Sequence, residues 1–377
     1  MNIAFYAPLK PPYHPIPSGD RRMARLLMQA LRRAGHDVTL ASRLRSYDGS
    51  GDIRRQDRIR RRADQVAQSY LDHADDHTKP DLWFTYHLYH KAPDLLGPRI
   101  ARALSVPYVV AEASFAPKQA GGPWRNSHAE VETALRQAAR IITLNPDDDP
   151  CVRAIVKDGD RLTALAPFID TRDARAAART RQDHRAAFAK EYNLEPTRPW
   201  IAVVAMLRHG DKFDSYKILA RIVSLLEETP FHLLIAGDGP ARDEIVALFG
   251  DDSRIHWLGA TPPATVNALN AAADLFVWPA IREAYGMALL EAQAAGTPVI
   301  AGGAPGVRQI VAHDETGLIA PMNLATLAND MARDIRVLLS NPDRRRDMGR
   351  AALAHTQSHH DIDGASRQLN QIIMEAA

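Results

Sequence analysis

The chain has 377 residues, 46% hydrophobic and 24% charged, which is too long for one ordinary core and typical of a soluble protein of two domains. A net charge of +2 argues against nucleic acid as a partner, and the single cysteine, Cys151, excludes a disulfide scaffold and points to a reducing compartment, by default the cytoplasm. Met1 to Leu9 has no basic start and too short an apolar run for a signal peptide, and no apolar stretch of about 18 residues reads as a membrane span.

Asn2 to Ala7 reads as a buried strand, followed by a proline-studded loop, a helix from about Arg21 to Arg33 ending at Gly35, and a strand over Asp37 to Ala41. This opens a nucleotide-binding type of α/β domain, with Pro17-Ser18-Gly19-Asp20 where a dinucleotide fold carries Gly-x-Gly-x-x-Gly. From Arg54 to Arg62 six arginines stand against one aspartate, in a helical pattern that continues through Ala74. Such a face is either simply solvated or rests on anionic lipid headgroups as a peripheral membrane contact.

Pro80 to Tyr86 is a further strand, with His87 to Lys91 expected to emerge from its carboxyl end. Tyr86, His87 and His90 are suited there to stack on, or hydrogen-bond, a sugar acceptor. His87-x2-His90 has a metal-like spacing, but no cysteine or third ligand accompanies it, so no metal is expected. The strand Val106 to Ala111 delivers Glu112 and then Lys118 to the same edge; Glu112 reads equally as an acceptor contact and as a structural loop carboxylate. Ala138 to Leu144 and Leu162 to Ile169 complete the strands of the first domain. The Ala- and Arg-rich segment Thr171 to Lys190 leads into the second, which puts the hinge near Asp170.

The second domain opens with the strand Trp200 to Leu207, and Arg208 and Lys212 follow on the loop at its carboxyl end. A guanidinium that grips phosphate oxygens bidentately and a mobile ammonium make a diphosphate clamp. Phe231 to Ala236 ends in Gly237-Asp238-Gly239-Pro240, a turn that permits close backbone approach, and Arg254 to Leu258 is the next strand. The strand Asp274 to Pro279 then leads into Glu283-Ala284-Tyr285-Gly286, a helix over Met287 to Ala295, the cap Gly296, the stop Pro298 and the strand Val299 to Ala301. Such a helix presents the unpaired N–H groups of Gly286 and Met287 at the carboxyl edge of the sheet, an anion site. Carboxylates beside an anion make sense where they face hydroxyls: Glu291 a vicinal pair, as on a ribose, and Glu283 the opposite flank of the ligand. The spacing alone also fits two surface glutamates on an amphipathic helix. The glycines of Gly302-Gly303-Ala304-Pro305-Gly306 keep the neighbouring crevice narrow, and Leu324 to Ser340, Arg344 to Gln357 and Ile362 to Met374 close the chain as helices.

Glu283-x7-Glu291, with Trp278-Pro279 before it and Ala295-Gly296-Thr297-Pro298-Val299-Ile300 after it, resembles the signature of retaining glycosyltransferases of the fourth sequence family, glycosyl transferases group 1. The resemblance runs over nearly the whole chain, most strongly from Trp200 to Leu318. It implies the GT-B fold: two Rossmann-like doubly wound domains facing across a cleft, an acceptor-side domain over 1–170, a nucleotide-sugar domain over 171–359, and a C-terminal helix, 360–377, packed back on the first. It implies a UDP- or GDP-type sugar donor held by Arg208, Lys212, the Gly286 and Met287 amides and Glu291, with Glu283 on the sugar hydroxyls. Gly237, Asp238 and Gly239 would line the donor, and the backbone at Trp257 and Leu258 would hold the base. Gly19 stands where the family usually has a glycine pair on the donor phosphate. Many members carry a histidine where this chain has Glu112, and Pro167-Phe168-Ile169-Asp170 matches the family's Asn-Gly-Val-Asp pattern in part. The implied activity is retaining transfer of a sugar to a hydroxyl acceptor, in surface polysaccharide or glycoconjugate synthesis. Its catalytic set is Glu283, Arg208 and Lys212, and it needs no metal or other cofactor. Two other readings stay open: a non-catalytic sugar-nucleotide-binding subunit, and a dinucleotide-dependent oxidoreductase, which the missing glycine fingerprint disfavours.

Overall fold

The computed structural model describes residues 1–16, 18–75, 77–156 and 159–377, so Pro17 of the expected turn lies outside the described residues. The chain divides into two compact units, Met1–Ala166 with Ile362–Ala377, and Pro167–Asp361. Each is built on a six-stranded parallel sheet.

In the first unit the strands are β1 (Asn2–Tyr6), β2 (Asp37–Leu40), β3 (Leu82–Leu88), β4 (Tyr108–Ala113), β5 (Arg140–Thr143) and β6 (Leu162–Ala164). Their order across the sheet is β2-β1-β3-β4-β5-β6. Helices cover both faces, so β3 and β4 are almost wholly buried and read as continuous apolar runs rather than alternating ones. Phe5 stacks on Phe84 at 5.6 Å, and Trp83 packs between Tyr6 and Tyr70. The buried carboxylate of Asp94 accepts hydrogen bonds from Thr85, Tyr108 and the amides of Leu96 and Gly97, which satisfies it and starts the helix Gly97–Leu104.

The first helix runs Gly19–Arg33, two residues earlier than expected, because Ser18 Oγ accepts from the Arg21 amide at 3.2 Å and caps it. The last helix, Ile362–Ala376, lies along it: Ser366 donates to the Ala30 carbonyl at 2.8 Å, and Arg33 pairs with Asp363 at 2.5 Å. On the arginine-rich helix Ile53–Asp72, Arg60 is tied to Glu130 and Asp57, while Arg54, Arg58, Arg61 and Arg62 stay exposed. No helix among the described residues is long and apolar enough to cross a membrane.

Two strand ends differ from the sequence expectation in a way that matters. Leu88 pairs with Ala113, so β3 and β4 run past the expected ends at Tyr86 and Ala111 and carry His87 and Glu112 inside the sheet. In contrast, β6 stops at Ala164 instead of reaching Ile169. Pro167 has no N–H to give a ladder, and Ile169 bridges instead to Asp361.

The second unit contains β7 (Trp200–Val204), β8 (His232–Ala236), β9 (Ile255–Gly259), β10 (Leu275–Trp278), β11 (Val299–Gly302) and β12 (Gly317–Ala320). The order is β12-β11-β10-β7-β8-β9. In both sheets the winding reverses once, between β1 and β3 in the first and between β7 and β10 in the second. Chains leaving the two strands at such a point diverge to opposite faces and leave a crevice at the carboxyl edge.

Candidate functional site

At the second sheet's reversal, the segment leaving β7 is fixed by its neighbour β8. Ala205 donates to the Ala236 carbonyl at 3.1 Å, Leu207 to the Asp238 carbonyl at 3.1 Å, and Ala241 back to the Leu207 carbonyl at 3.0 Å. The approach is so close that a Cβ on Gly237 would lie 1.9 Å from the Ala205 oxygen, and one on Gly239 would lie 2.3 Å from that of Leu207. The close contact these glycines permit is therefore with the chain's own backbone. It holds the segment that presents Arg208, whose exposed guanidinium makes no ion pair or hydrogen bond among the described residues. Lys212 is not on a loop; it is the second residue of the helix Asp211–Leu225.

The loop leaving β10 is held in an uncommon backbone path, with positive φ at Ala280 (55°), Arg282 (50°) and Gly286 (68°). Non-glycine residues there cost on the order of 1 kcal/mol each and persist only where the surroundings over-determine them. Here Ile281 N–H donates to Ser215 Oγ at 3.1 Å, and Arg282 grips Asp211 and Asp214 of the same helix at 2.5 and 3.2 Å. From the other side, Gly306 packs so tightly that a Cβ would lie 2.0 Å from the Ala284 oxygen.

The loop so braced places Glu283 Oε2 2.5 Å from Lys212 Nζ and 3.3 Å from the Trp278 indole N–H. Lys212 also lies 5.2 Å from the Trp278 ring centroid, so the indole face and the carboxylate orient it together. Gly286 then caps the helix Met287–Ala294 from the left-handed region. The amides of Gly286, Met287 and Ala288 have no backbone acceptor among the described residues, the usual donors of a helix start. Glu291 is buried at 6% exposure on the same helix, one turn beyond Met287. On β9, Trp257 and Leu258 are half-buried, and Trp257 meets the edge of Phe249 at 5.5 Å.

The first sheet's reversal carries a different cluster. His87 Nδ1 lies 3.2 Å from Asp20, the second residue of the first helix, and 3.8 Å from Glu112. His87 and Glu112 have φ of 60° and 57°, which turns both side chains toward each other from adjacent strands. Burial opposes a charge on His87, but the carboxylates of Glu112 and Asp20 outweigh it and raise its pKa to about 9, so the ring is an imidazolium at neutral pH. Tyr86, 1% exposed, sits behind this pair as a core residue with its hydroxyl beside Glu112. His90 packs edge-on against Trp124 at 5.5 Å; burial, then Lys91, His128 and Lys118, hold it neutral. Lys118 is exposed on the turn Pro117–Gln119. Gly19 opens the first helix with no heavy atom within 4 Å of its would-be Cβ.

The structure thus brings His87 and Glu112 together, and Lys212 and Glu283. It adds partners that sequence reasoning missed: Asp20 for His87, Ser215, Asp211 and Asp214 as braces, and the Trp278 N–H for Glu283. In the sequence Trp278 and Asp20 stand only as neighbours of motifs, since pairing across a sheet reversal leaves no local signal. Among the described residues no group of three or more His, Cys, Asp or Glu side chains is arranged to hold a metal.

Residues 185–355 match the family described as glycosyl transferases group 1. A D-inositol 3-phosphate glycosyltransferase from Nocardia farcinica is 32% identical over 211 residues, 52% of this chain and 44% of that protein. One of the same name from Rhodococcus jostii is 24% identical over 294 residues, 75% of this chain and 63% of that protein. The chain thus aligns with less than two thirds of the length of these relatives. Among solved structures, a glycosyltransferase from Rickettsia africae superposes with a TM-score of 0.76 at 16% identity, covering 100% of this chain and 98% of that one. Anabaena HepE in complex with UDP gives 0.72 at 15% identity, covering 99% and 100%. The two parallel sheets with their flanking helices match the GT-B glycosyltransferase architecture.

Proposed function

Because residues 185–355 match the family of glycosyl transferases group 1, we propose that the chain is a retaining glycosyltransferase that moves a sugar from a nucleoside-diphosphate sugar to a hydroxyl acceptor. The observation that carries the reading is the assembly at the β7/β10 reversal: an exposed guanidinium, a lysine held by a carboxylate, and unpaired helix amides on one sheet edge. In this reading Arg208, Lys212 and the Gly286 and Met287 amides bind the diphosphate, and Glu291 accepts hydrogen bonds from the ribose hydroxyls. The arriving diphosphate takes Lys212 from Glu283, and the released carboxylate then accepts from the sugar hydroxyls. Gly237, Asp238 and Gly239 act by fixing the Arg208 segment, and the β9 backbone at Trp257 and Leu258 lies beside the base. Gly19 gives a phosphate room to approach the first helix.

As the bond between the anomeric carbon and the phosphate oxygen breaks, the cationic groups stabilise the leaving diphosphate. The acceptor oxygen bonds to the same face of the carbon, and its proton passes to the departing phosphate oxygen. On the first unit, His87 as an imidazolium and Glu112 present a donor and an acceptor to a hydroxylated acceptor, with His90 and Lys118 further along that edge. Arg54, Arg58, Arg61 and Arg62 are the residues that would rest on anionic headgroups if the enzyme works at a membrane surface on a surface-polysaccharide or glycoconjugate intermediate.

The test is a thermal-shift screen with UDP, GDP, ADP, their sugar conjugates and NAD(P), repeated on Arg208→Ala. The complexes of HepE with UDP and UDP-glucose make a uridine donor the first to try, and the relatives named for inositol 3-phosphate suggest a phosphorylated cyclitol as first acceptor. One nucleoside diphosphate at about 100 times its dissociation constant adds roughly 2.7 kcal/mol of stability. That shift should vanish in Arg208→Ala, and the anomeric configuration of the product, read by NMR, should equal that of the donor. A shift with NAD(P) alone would sink the transferase reading.

A further inference from the structure

The second unit holds a cavity of about 920 Å³ whose lining includes Pro196, Asp274 and Pro298, residues that precede β7, β10 and β11 or open onto them. It therefore lies at the amino edge of the sheet, opposite the edge that carries Arg208 and Glu283. Its walls are basic. Arg175 and Arg179 stand one turn apart on the helix Arg172–Arg179, Arg181 and Arg185 one turn apart on Arg181–Tyr192, and Arg346 and Arg350 one turn apart on Pro342–His359 beside Arg345. Asp274 is the one carboxylate among the lining residues.

Three of these arginines have structural work. Arg181 and Arg185 pair with Asp274 at 3.1 and 3.0 Å and donate to the carbonyls of Ala271, Ala272 and Ala273, capping the helix Pro263–Ala272. Arg345 donates to the carbonyls of Leu338 and Leu339 at 2.6 Å, at the end of Leu327–Leu339. The other four do not. Arg346 and Arg350 reach only Asp343 and Asp347 of their own helix, exposed pairs that exchange readily with solvent. Arg175 is half-buried and Arg179 exposed, and neither guanidinium has an ion pair or hydrogen bond among the described residues.

Like charges one turn apart on a helix destabilise it, and here that arrangement is repeated on three helices facing one cavity. Burial, together with the neighbouring guanidinium groups, pushes Arg181 and Arg345 below the usual arginine range despite Asp274. A bound anion of high charge would relieve all of this at once.

We propose that this cavity is a binding site for a compound carrying two or more phosphate groups, with Arg175, Arg179, Arg346 and Arg350 as its ligands. Arginines one helical turn apart, with about 5–6 Å between their Cβ atoms, suit successive phosphates gripped bidentately better than a single carboxylate. The volume admits a molecule of nucleotide size. The same chemistry is offered by a soluble polyphosphorylated compound and by a phosphorylated lipid headgroup.

The experiment starts from the 377-residue chain carrying Arg208→Ala and Lys212→Ala, which silences the opposite edge. It is titrated with inorganic tripolyphosphate by calorimetry, and sedimented with phosphatidylcholine vesicles with and without phosphatidylinositol 4-phosphate. A second chain adds Arg175→Gln, Arg179→Gln, Arg346→Gln and Arg350→Gln. The first chain should bind one or both probes, more weakly as salt rises, and the second should bind at least about tenfold more weakly. Without anion, the second chain should melt no lower than the first, because repulsion has been removed. Binding to tripolyphosphate identifies a soluble ligand, and binding to vesicles alone a headgroup. No binding by the first chain, equal binding by both, or a second chain that folds but melts several degrees lower overturns the site. If the glutamine chain does not fold, Arg175→Lys with Arg179→Lys decides: charge is kept and the fork is lost, so tripolyphosphate binding should weaken, and unchanged binding overturns the proposal.

Discussion

The two sheet reversals are bridged by the same kind of contact with the polarity exchanged. At β1/β3 the helix start supplies the acid, Asp20, and the strand end the base, His87; at β7/β10 the helix start supplies the base, Lys212, and the strand side the acid, Glu283. The first pair is closed over by a second carboxylate, Glu112, and backed by the buried Tyr86, so its one cation is spent on two carboxylates. The second pair shares its sheet edge with an exposed guanidinium and three helix amides that have no backbone acceptor among the described residues, so positive charge is left over. One topology thus yields an edge whose cation is compensated in one unit and an edge with surplus positive charge in the other.

The sharpest way to break this comparison is to remove the surplus charge. Arg208→Ala should lower transfer about 100- to 1,000-fold, the scale for deleting one donor to a developing oxyanion, while the melting temperature without ligand stays put. His87→Gln, which touches only the compensated edge, should leave nucleoside-diphosphate binding intact. Calorimetry on the two variants side by side checks both, and equal losses of nucleotide binding would erase the distinction.

Next in size is Gly306→Ala. Its Cβ would meet the Ala284 backbone, so the Glu283 loop must move, with an expected cost of about 2–3 kcal/mol in denaturant unfolding and weakened nucleotide binding.

The two units should also part company in pH. His87 is raised to about 9 from an ordinary 6.5, so the stability it lends the first unit is complete below pH 6.5 and is lost as pH rises through about 9. In the second unit His360, buried and donating from Nδ1 to the Pro167 carbonyl at 2.7 Å, and His232, buried beside His256, are lowered to about 4. Their contribution is complete above 6.5 and is lost as pH falls through about 4. Each group bears on the order of 3 kcal/mol by linkage. Hydrogen exchange should therefore show the first unit loosening first near pH 9.5 and the second first near pH 5; the reverse order would contradict the assigned charge states.

The smallest effect is expected at Gly19→Ala. No atom stands within 4 Å of the new methyl, so stability should change by less than about 1 kcal/mol, and a larger loss in donor binding would reveal a phosphate approaching that point.

Much of this was legible one segment at a time. Glu283, Gly286 and Glu291 mark a strand, turn and helix, and the run Met287–Ala294 forms as its residues prescribe. Arg208 and Lys212 were visible as cations after a strand, although the helix begins early enough to take Lys212 into its first turn. Less legible were the ends of β3 and β4, where left-handed residues that ordinarily terminate strands are carried through by the pairing of Leu88 with Ala113. The Gly237-Asp238-Gly239 turn was seen, but the backbone it accommodates was not.

Sequence by itself determined the alternation of strands and helices, the glycine positions and the chemical groups available at each strand end, because these follow from local propensity and burial pattern. Tertiary structure alone decided which of those groups meet. Lys212 finds Glu283, 71 positions away, only because β10 lies next to β7, and His87 finds Asp20 only because β3 lies next to β1. Strand order is a property of the whole packed sheet, and no window of the chain contains it.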